Sequence, residues 1–259
     1  MMPVIQFLGF TIPTGPLFAV LAFVLGSELG ARALGRVAPP NQRPQWREAF
    51  GTGSFLALAA GLVGARLGYA LQYLPLYLAA PGMLLSIRPG TLAPIPGMLV
   101  AGLVLIIYLR WRRVPLAFIA DAAAIGVVGG LIVWYVGQYS TGADYGTPTV
   151  LPWGVDLWGT ARHPVQIYAA VLQAAILLFL WRYQATALPG ETFWLAAALL
   201  GLETLLLDAF RADVQTWIGG IRVGQVSALA VMLAALYVLS FYVRRRKARH
   251  VAVGSTVYE

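Results

Sequence analysis

The chain contains no cysteine and only two histidines in 259 residues. The first absence excludes disulfides, thiolate metal sites and a cysteine nucleophile of its own, so any thiol chemistry must use a thiol carried by the substrate. Charge is scarce too. Only 11% of the residues are charged and 59% are apolar, against roughly 25% and 45–50% in a typical soluble domain. Such a chain cannot cover itself with polar surface, and lipid must be its solvent. Its apolar residues fall into runs of about 18–25 rather than the alternating segments of about ten that a membrane barrel needs. The predicted fold is therefore an all-α integral membrane protein with about seven transmembrane helices.

The spans are read at 12–34, 50–73, 95–110, 116–137, 165–182, 192–210 and 223–243, separated by breaks that carry Pro, Gly or Arg. Together they predict a single polytopic domain over 1–259 with no soluble module. The opening stretch MMPVIQFLGFTIPTGP has no basic region and no small-residue cleavage site ahead of the first run. It does not read as a removable signal peptide, and the first helix is expected to be retained. Basic residues divide unevenly between alternate loops. Arg32, Arg36, Arg43, Arg47, Arg110, Arg112, Arg113, Arg182, Arg244, Arg245, Arg246, Lys247 and Arg249 fall on one side, and only Arg88, Arg162, Arg211 and Arg222 on the other. The positive-inside rule puts the richer set in the cytoplasm and the N-terminus outside, as in a bacterial inner membrane protein. The formal charge of +8 is then a signal for topology and anionic headgroups, and not for nucleic acid.

Two breaks are unusual. Residues 138–164, rich in Gly, Pro, Thr and aromatics, predict a small extracytoplasmic cap with Trp153 and Trp158 at headgroup level. Residues 74–96 are too apolar for a free loop and too interrupted by proline for a span, which predicts an interfacial or re-entrant arm. The pairs Gly26/Gly30, Gly64/Gly68 and Gly126/Gly130 have the spacing that lets helices approach closely. No inverted repeat is visible, which speaks against a secondary transporter. Ionisable residues within or beside the runs, Glu28, Arg66, Asp121, Glu203 and Asp208, must find partners inside the bundle, and Arg66 pairing with an acid is the simplest arrangement. On the outer face Arg88, Arg162, Arg211 and Arg222 lie near helix ends beside His163. Arginine forks match phosphate oxygens, so this face suits an anionic phospholipid headgroup, the alternative being that the arginines snorkel to the interface. His163 is a candidate proton acceptor near neutral pH, or a hydrogen-bonded structural residue. Arg211 follows Asp208 by three residues, a spacing that would let the acid hold the guanidinium in place.

Several strings together resemble the prolipoprotein diacylglyceryl transferase family: GARLGY (64–69), Asp121, the YG and LPWGV of 145–155, RHPVQIY (162–168), DAFRAD (208–213) and VGQVSA (223–228). The resemblance covers about residues 60–230, and RHPVQIY following LPWGV is its most specific part. It implies a seven-helix membrane enzyme, N-terminus outside, that moves diacylglyceryl from phosphatidylglycerol to the lipobox cysteine of a preprolipoprotein, with no metal or organic cofactor. It further implies catalytic roles for Arg211, Arg162 and His163. Phospholipid contacts would come from Arg211, Arg162, Gln166, Tyr168 and Gly146, with Arg88 as a further candidate, and structural roles would fall to Arg66, Asp121 and Asp208. The chain departs from the pattern at APIPGM (93–98), where the family carries His-Gly-Gly, and at YVGQYSTGA (135–143), where Tyr135 stands for an arginine and Gln138, Thr141 and Ala143 for two asparagines and a glutamate. A catalytically inactive paralogue that binds phospholipid or lipoprotein is the alternative. Reporter fusions after Arg113 and after Arg249 are expected to read cytoplasmic and one within 143–150 extracytoplasmic; a cytoplasmic signal from the last would reverse the orientation.

Overall fold

The computed structural model describes residues 4–7, 10–85, 89–212, 214, 216 and 222–255. It is built almost wholly of helices. An antiparallel hairpin, β1 (Val4–Phe7) and β2 (Phe10–Pro13), leads into α1 (Thr14–Val37). Then come α2 (Arg43–Gln72), the short α3 (Leu74–Ala79), α4 (Pro94–Trp111) and α5 (Leu116–Thr141). A second hairpin, β3 (Val155–Leu157) with β4 (Thr160–Arg162), precedes α6 (Val165–Tyr183), α7 (Glu191–Asp208) and α8 (Val223–Ser255). Among the described residues six helices, α1, α2, α4, α5, α6 and α8, are long and apolar enough to cross a membrane. The sixth of the seven predicted spans corresponds to α7, 18 residues long, which carries three carboxylates, Glu191, Glu203 and Asp208. The first span starts two residues later than the sequence suggests, because the hairpin takes up the opening apolar residues. The fold class is that of an all-α integral membrane protein.

The contacts divide the chain into two compact units, one of residues 1–33 and 120–259, the other of residues 34–119, with the boundaries inside α1 and α5. In the first unit α1 and α5 meet through glycine. A Cβ on Gly26 would lie 2.7 Å from the Gly126 carbonyl oxygen, and one on Gly126 2.6 Å from that of Gly26. Backbone runs against backbone here, so any side chain would push the helices apart. In the second unit α2 packs on α4 in the same manner, with Gly64 against Val100 and Gly61 against Ala101 and the Gly97 carbonyl. All three glycine pairs singled out in the sequence line such contacts.

Elsewhere in the first unit, α7 packs against α6 and α8. Its N-terminus is held from another helix. Asp121, buried on α5, accepts the backbone N–H of Gly190 at 2.7 Å and that of Phe193 at 2.8 Å. The first N–H groups of a helix have no partner within it, and inside a bundle no water replaces one. Gly190 takes the left-handed conformation at φ 87° that turns the chain into this position. Glu191 beside it accepts from Tyr183 Oη at 2.7 Å, from the Leu188 N–H at 2.8 Å and from Arg246 Nη2 at 2.6 Å, tying α8 to the α6–α7 connection. Arg66, in the second unit, does not take the acid partner the sequence suggested. Its guanidinium donates to carbonyls of the segment after α2, where short turns leave carbonyls with no helical partner. Replacing Asp121 with alanine should lower stability by about 1–3 kcal/mol, the cost of leaving buried donors unmade. Asp121→Asn, which keeps one acceptor, should cost less, as read from thermal unfolding in detergent.

Candidate functional site

Between α5 and α6 the chain forms an irregular ladder with no long strand. Thr147 donates its N–H to the Phe210 carbonyl at 2.8 Å and accepts the N–H of His163 at 3.0 Å through its own carbonyl. The Ala212 N–H reaches the Tyr145 carbonyl at 3.1 Å, and the Thr149 N–H reaches that of Ala161 at 2.9 Å. Gly146 pairs with Arg211 and Pro148 with Arg162 as antiparallel bridges. Residues 145–149 therefore stitch the segment after α7 to the strand that feeds α6. The backbone alone brings Gly146, Arg162, His163 and Arg211 into one neighbourhood.

Side chains complete the arrangement. Arg162 donates through Nη1 to the Gly146 carbonyl at 3.3 Å and lies over the Tyr145 ring, 5.1 Å from its centroid. Its Nε is buried with no hydrogen-bond partner among the described residues. Tyr145 in turn meets Trp158 edge-on at 4.9 Å. The Tyr168 hydroxyl accepts the Trp153 indole N–H at 2.8 Å and sits 3.4 Å from His163 Nδ1. The His163 ring also packs against Phe210, centroids 5.2 Å apart. Gln166, buried at the start of α6, donates to the Ala143 carbonyl at 2.6 Å and closes the segment's other end. Trp153 and Trp158 are 57% and 70% exposed, so the indoles lie on the outside of this unit.

Arg211 is not on the helix. α7 stops at Asp208, and the Arg211 N–H turns back to the Asp208 carbonyl at 3.3 Å. The link expected from the Asp208 side chain is thus a backbone one, and the guanidinium lies over Tyr135 of α5, 6.0 Å from the ring centroid. Asp208 and Arg211 line a cavity of about 300 Å³ with Asp144, Val214, Val223, Gly224 and Ser227. Asp208 is buried, and its Oδ2 has no hydrogen-bond partner among the described residues. Arg222, which the sequence offers as a snorkelling residue, instead donates through Nη1 to the Asp208 carbonyl and caps the C-terminus of α7. Arg88 lies outside the described residues.

The structure thus gathers Gly146, Arg162, His163, Gln166, Tyr168, Asp208 and Arg211 around one ladder, while Asp121, on α5 of the same unit, instead holds the start of α7. Sequence reasoning missed three contributors. Tyr135 registered only as a lost arginine, Asp144 carried no motif, and Tyr145 stood inside the YG string unread. Gly224 and Ser227 lie in VGQVSA, whose place in the order of strings was the available signal. No group of three His, Asp or Glu side chains among the described residues is placed to hold a metal ion. A guanidinium and an unpartnered carboxylate oxygen at a cavity, with a second guanidinium and an imidazole on the adjoining backbone ladder, can bind a phosphate-bearing molecule and move a proton near it.

A family model described as prolipoprotein diacylglyceryl transferase matches residues 3–241. The chain is 32% identical over 201 residues to a phosphatidylglycerol–prolipoprotein diacylglyceryl transferase of Geobacter sulfurreducens, covering 74% of this chain and 77% of the relative. It is 32% identical over 236 residues to a protein of the same name from Nitratidesulfovibrio vulgaris, covering 86% and 87%. A third of that name, from Roseobacter denitrificans, is 26% identical over 279 residues, with 90% of each chain covered.

Gly146 offers a direct test of the ladder. A Cβ there would strike the His163 carbonyl and lie 2.7 Å from His163 Cβ and 2.9 Å from Val165 Cγ2. Gly146→Ala should destabilise the protein by about 1–3 kcal/mol, as overpacking does. Gly102→Ala, on α4 with nothing within 4 Å of the added carbon, should not lower the unfolding temperature. The two are compared by thermal unfolding under identical conditions.

Proposed function

The chain belongs to the prolipoprotein diacylglyceryl transferase family, and on that premise we propose that it transfers diacylglyceryl from phosphatidylglycerol to the cysteine thiol of a preprolipoprotein lipobox. The observation that carries this reading is the backbone ladder of 145–149, which brings Arg162 and His163 into the neighbourhood of Arg211, itself part of the lining of a cavity. Arg211 and Arg162 hold the lipid phosphate, and Gly146, Gln166 and Tyr168 shape the place where it lies. The substrate sulfur attacks the glycerol carbon. The S–C bond forms as the C–O bond to phosphate breaks, and glycerol phosphate leaves with its charge opposite the guanidiniums. The thiol proton goes to His163. If the Tyr168 oxygen takes the His163 Nδ1–H beside the indole N–H of Trp153, the imidazole is held in the tautomer whose Nε2 can accept a proton. The chain's lack of cysteine agrees with a nucleophile supplied by the substrate.

The same reading puts this site on the extracytoplasmic side of a bacterial inner membrane, with the N-terminus outside and the C-terminus in the cytoplasm. The arginine asymmetry supports that orientation. Residues 138–164 are then the cap and 74–96 the interfacial arm.

A second reading has one observation in its favour: Tyr135 lies under Arg211 where the family resemblance leads one to expect another arginine. Without that charge the protein would bind phospholipid or lipoprotein and not turn it over. One experiment separates the two. Purified protein in phosphatidylglycerol nanodiscs is given a lipobox peptide, and the peptide cysteine is watched for the added diacylglyceryl mass. Transfer by the native protein is expected. Arg211→Ala should reduce it by about 10²-fold or more, the scale of losing one charge-stabilising donor group. Arg211→Lys, which keeps charge without the fork, should reduce it less. Arg244→Ala, exposed on α8, should leave it unchanged. Lipid binding with no mass shift in the native protein selects the second reading, and neither binding nor transfer overturns both.

A further inference from the structure

In the second unit, the segment that follows α2 packs on that helix through the buried Tyr77 ring, edge-on to Tyr69, and is hydrogen-bonded back to it by one side chain, Arg66. Residues 74–85 comprise α3 and the 3₁₀ turn Pro81–Leu85, and a second 3₁₀ turn, Pro89–Thr91, precedes α4. Their internal hydrogen bonds are local: the Ala80 N–H to the Leu76 carbonyl, and the Met83 N–H to that of Ala80. Among the described residues, the hydrogen bonds that join 74–85 to α2 come from Arg66. Its Nε donates to the Leu84 carbonyl at 3.1 Å and its Nη2 to that of Met83. Its Nη1 donates to the Thr91 carbonyl at 3.0 Å and also to Thr91 Oγ1. The guanidinium stands over the Tyr77 ring, 5.5 Å from the centroid, and that ring is buried. One fork thus joins α2 to two separate turns, supplying donors to carbonyls that short turns leave without helical partners.

The other side of 74–85 is apolar and exposed. Leu78 and Leu85 are 70% and 86% exposed, and Leu74, Leu76, Met83 and Leu84 are exposed as well. No charged residue occurs between Arg66 and Arg88. This surface continues the exposed apolar faces of two candidate membrane spans, Leu67 and Leu71 on α2 and Ile95, Met98 and Leu99 on α4. Continuity with those lipid-facing surfaces and the absence of charge select the bilayer as its partner, at the depth where apolar side chains meet headgroups.

We propose that 74–85 is a strap inserted into the membrane interface, and that Arg66, by fastening it to α2 and to Thr91, sets the depth at which it lies. A strap hydrogen-bonded through one planar fork is held less firmly by a lysine, which offers charge but not the fixed geometry of five donors. The proposal does not rest on the transferase reading and holds whether or not the protein turns over lipid.

The cysteine-free chain permits a clean test by nitroxide labelling of the full-length protein in phosphatidylglycerol/phosphatidylcholine nanodiscs. Leu78→Cys reports on the strap, and Leu236→Cys on α8, also exposed, is the lipid-facing reference. With Arg66 in place, the label at 78 should be more accessible to oxygen than to a water-soluble nickel chelate, as the label at 236 is. Arg66→Ala should reverse that preference at 78 and increase label mobility there while 236 stays unchanged, and Arg66→Lys should do so in part. Should Arg66→Ala fail to fold, Arg66→Lys and Thr91→Val, which removes only one acceptor, carry the test through mobility at 78. A label at 78 that sits in water with Arg66 present overturns the proposal, as does unchanged depth and mobility across the substitutions.

Discussion

The constraint on which the rest depends is that lipid offers a polar group nothing. A backbone N–H or a carboxylate in the bundle must find its partner in the chain. Asp121 shows what this does to architecture. Its carboxylate belongs to α5, yet both of its oxygens are spent on N–H groups at the start of α7, so the beginning of one helix is fixed by the middle of the chain. Glu191 does the same for α8 through Arg246. Gln173 on α6 donates to Glu203 on α7, both buried, and joins a second pair of helices inside the bundle. Apolar surface cannot specify such contacts when the surrounding lipid is as apolar as the helices, so close glycine packing and these few polar links decide which helix lies beside which.

Much of the fold was legible because spans are long and their signal is summed over some twenty residues. The glycine pairs were legible for a similar reason: a four-residue spacing on an apolar helix has few meanings other than close approach. What escaped was short or depended on partners far off in sequence. Of the eight strand residues of the β1–β2 hairpin only Ile12 and Pro13 fall within the first span expected from the sequence, and the six ahead of it escaped because so short an apolar stretch does not separate strand from helix. The end of α7 escaped as well. Nothing in DAFRAD says that the helix stops at Asp208, and it is the pairing of 210–212 with 145–147 that pulls Arg211 off the helical path.

The candidate site divides along the same line. RHPVQIY, the YG string and DAFRAD marked Arg162, His163, Gly146 and Arg211 before any coordinates, since each string is distinctive and their order is kept. Tyr135 could not be read that way, because a substitution seen against a family pattern registers as a loss and carries no hint of the contact that replaces it. Arg222 failed for the opposite reason: an arginine beside a span has an ordinary interfacial explanation, and only the structure shows its guanidinium on the last carbonyl of α7.

Arg222 and Arg211 then illustrate how one helix end serves two purposes. The α7 C-terminus leaves carbonyls without helical partners and a partial negative charge, and two arginines come to the Asp208 carbonyl, Arg222 with its side chain and Arg211 with its backbone N–H. Because Arg222 caps the helix, the Arg211 guanidinium is not drawn into that task and lies instead over Tyr135, at the edge of the cavity. Gly224, in the first turn of α8, lies beside the Asp208 carboxylate: a Cβ there would stand 3.4 Å from its Oδ1, in ordinary van der Waals contact. Arg211 and Asp208 therefore keep their relative places through backbone contacts, with Gly224 of α8 beside the carboxylate. Side-chain substitutions at Arg211 accordingly change the donors presented to the cavity more than they change its shape.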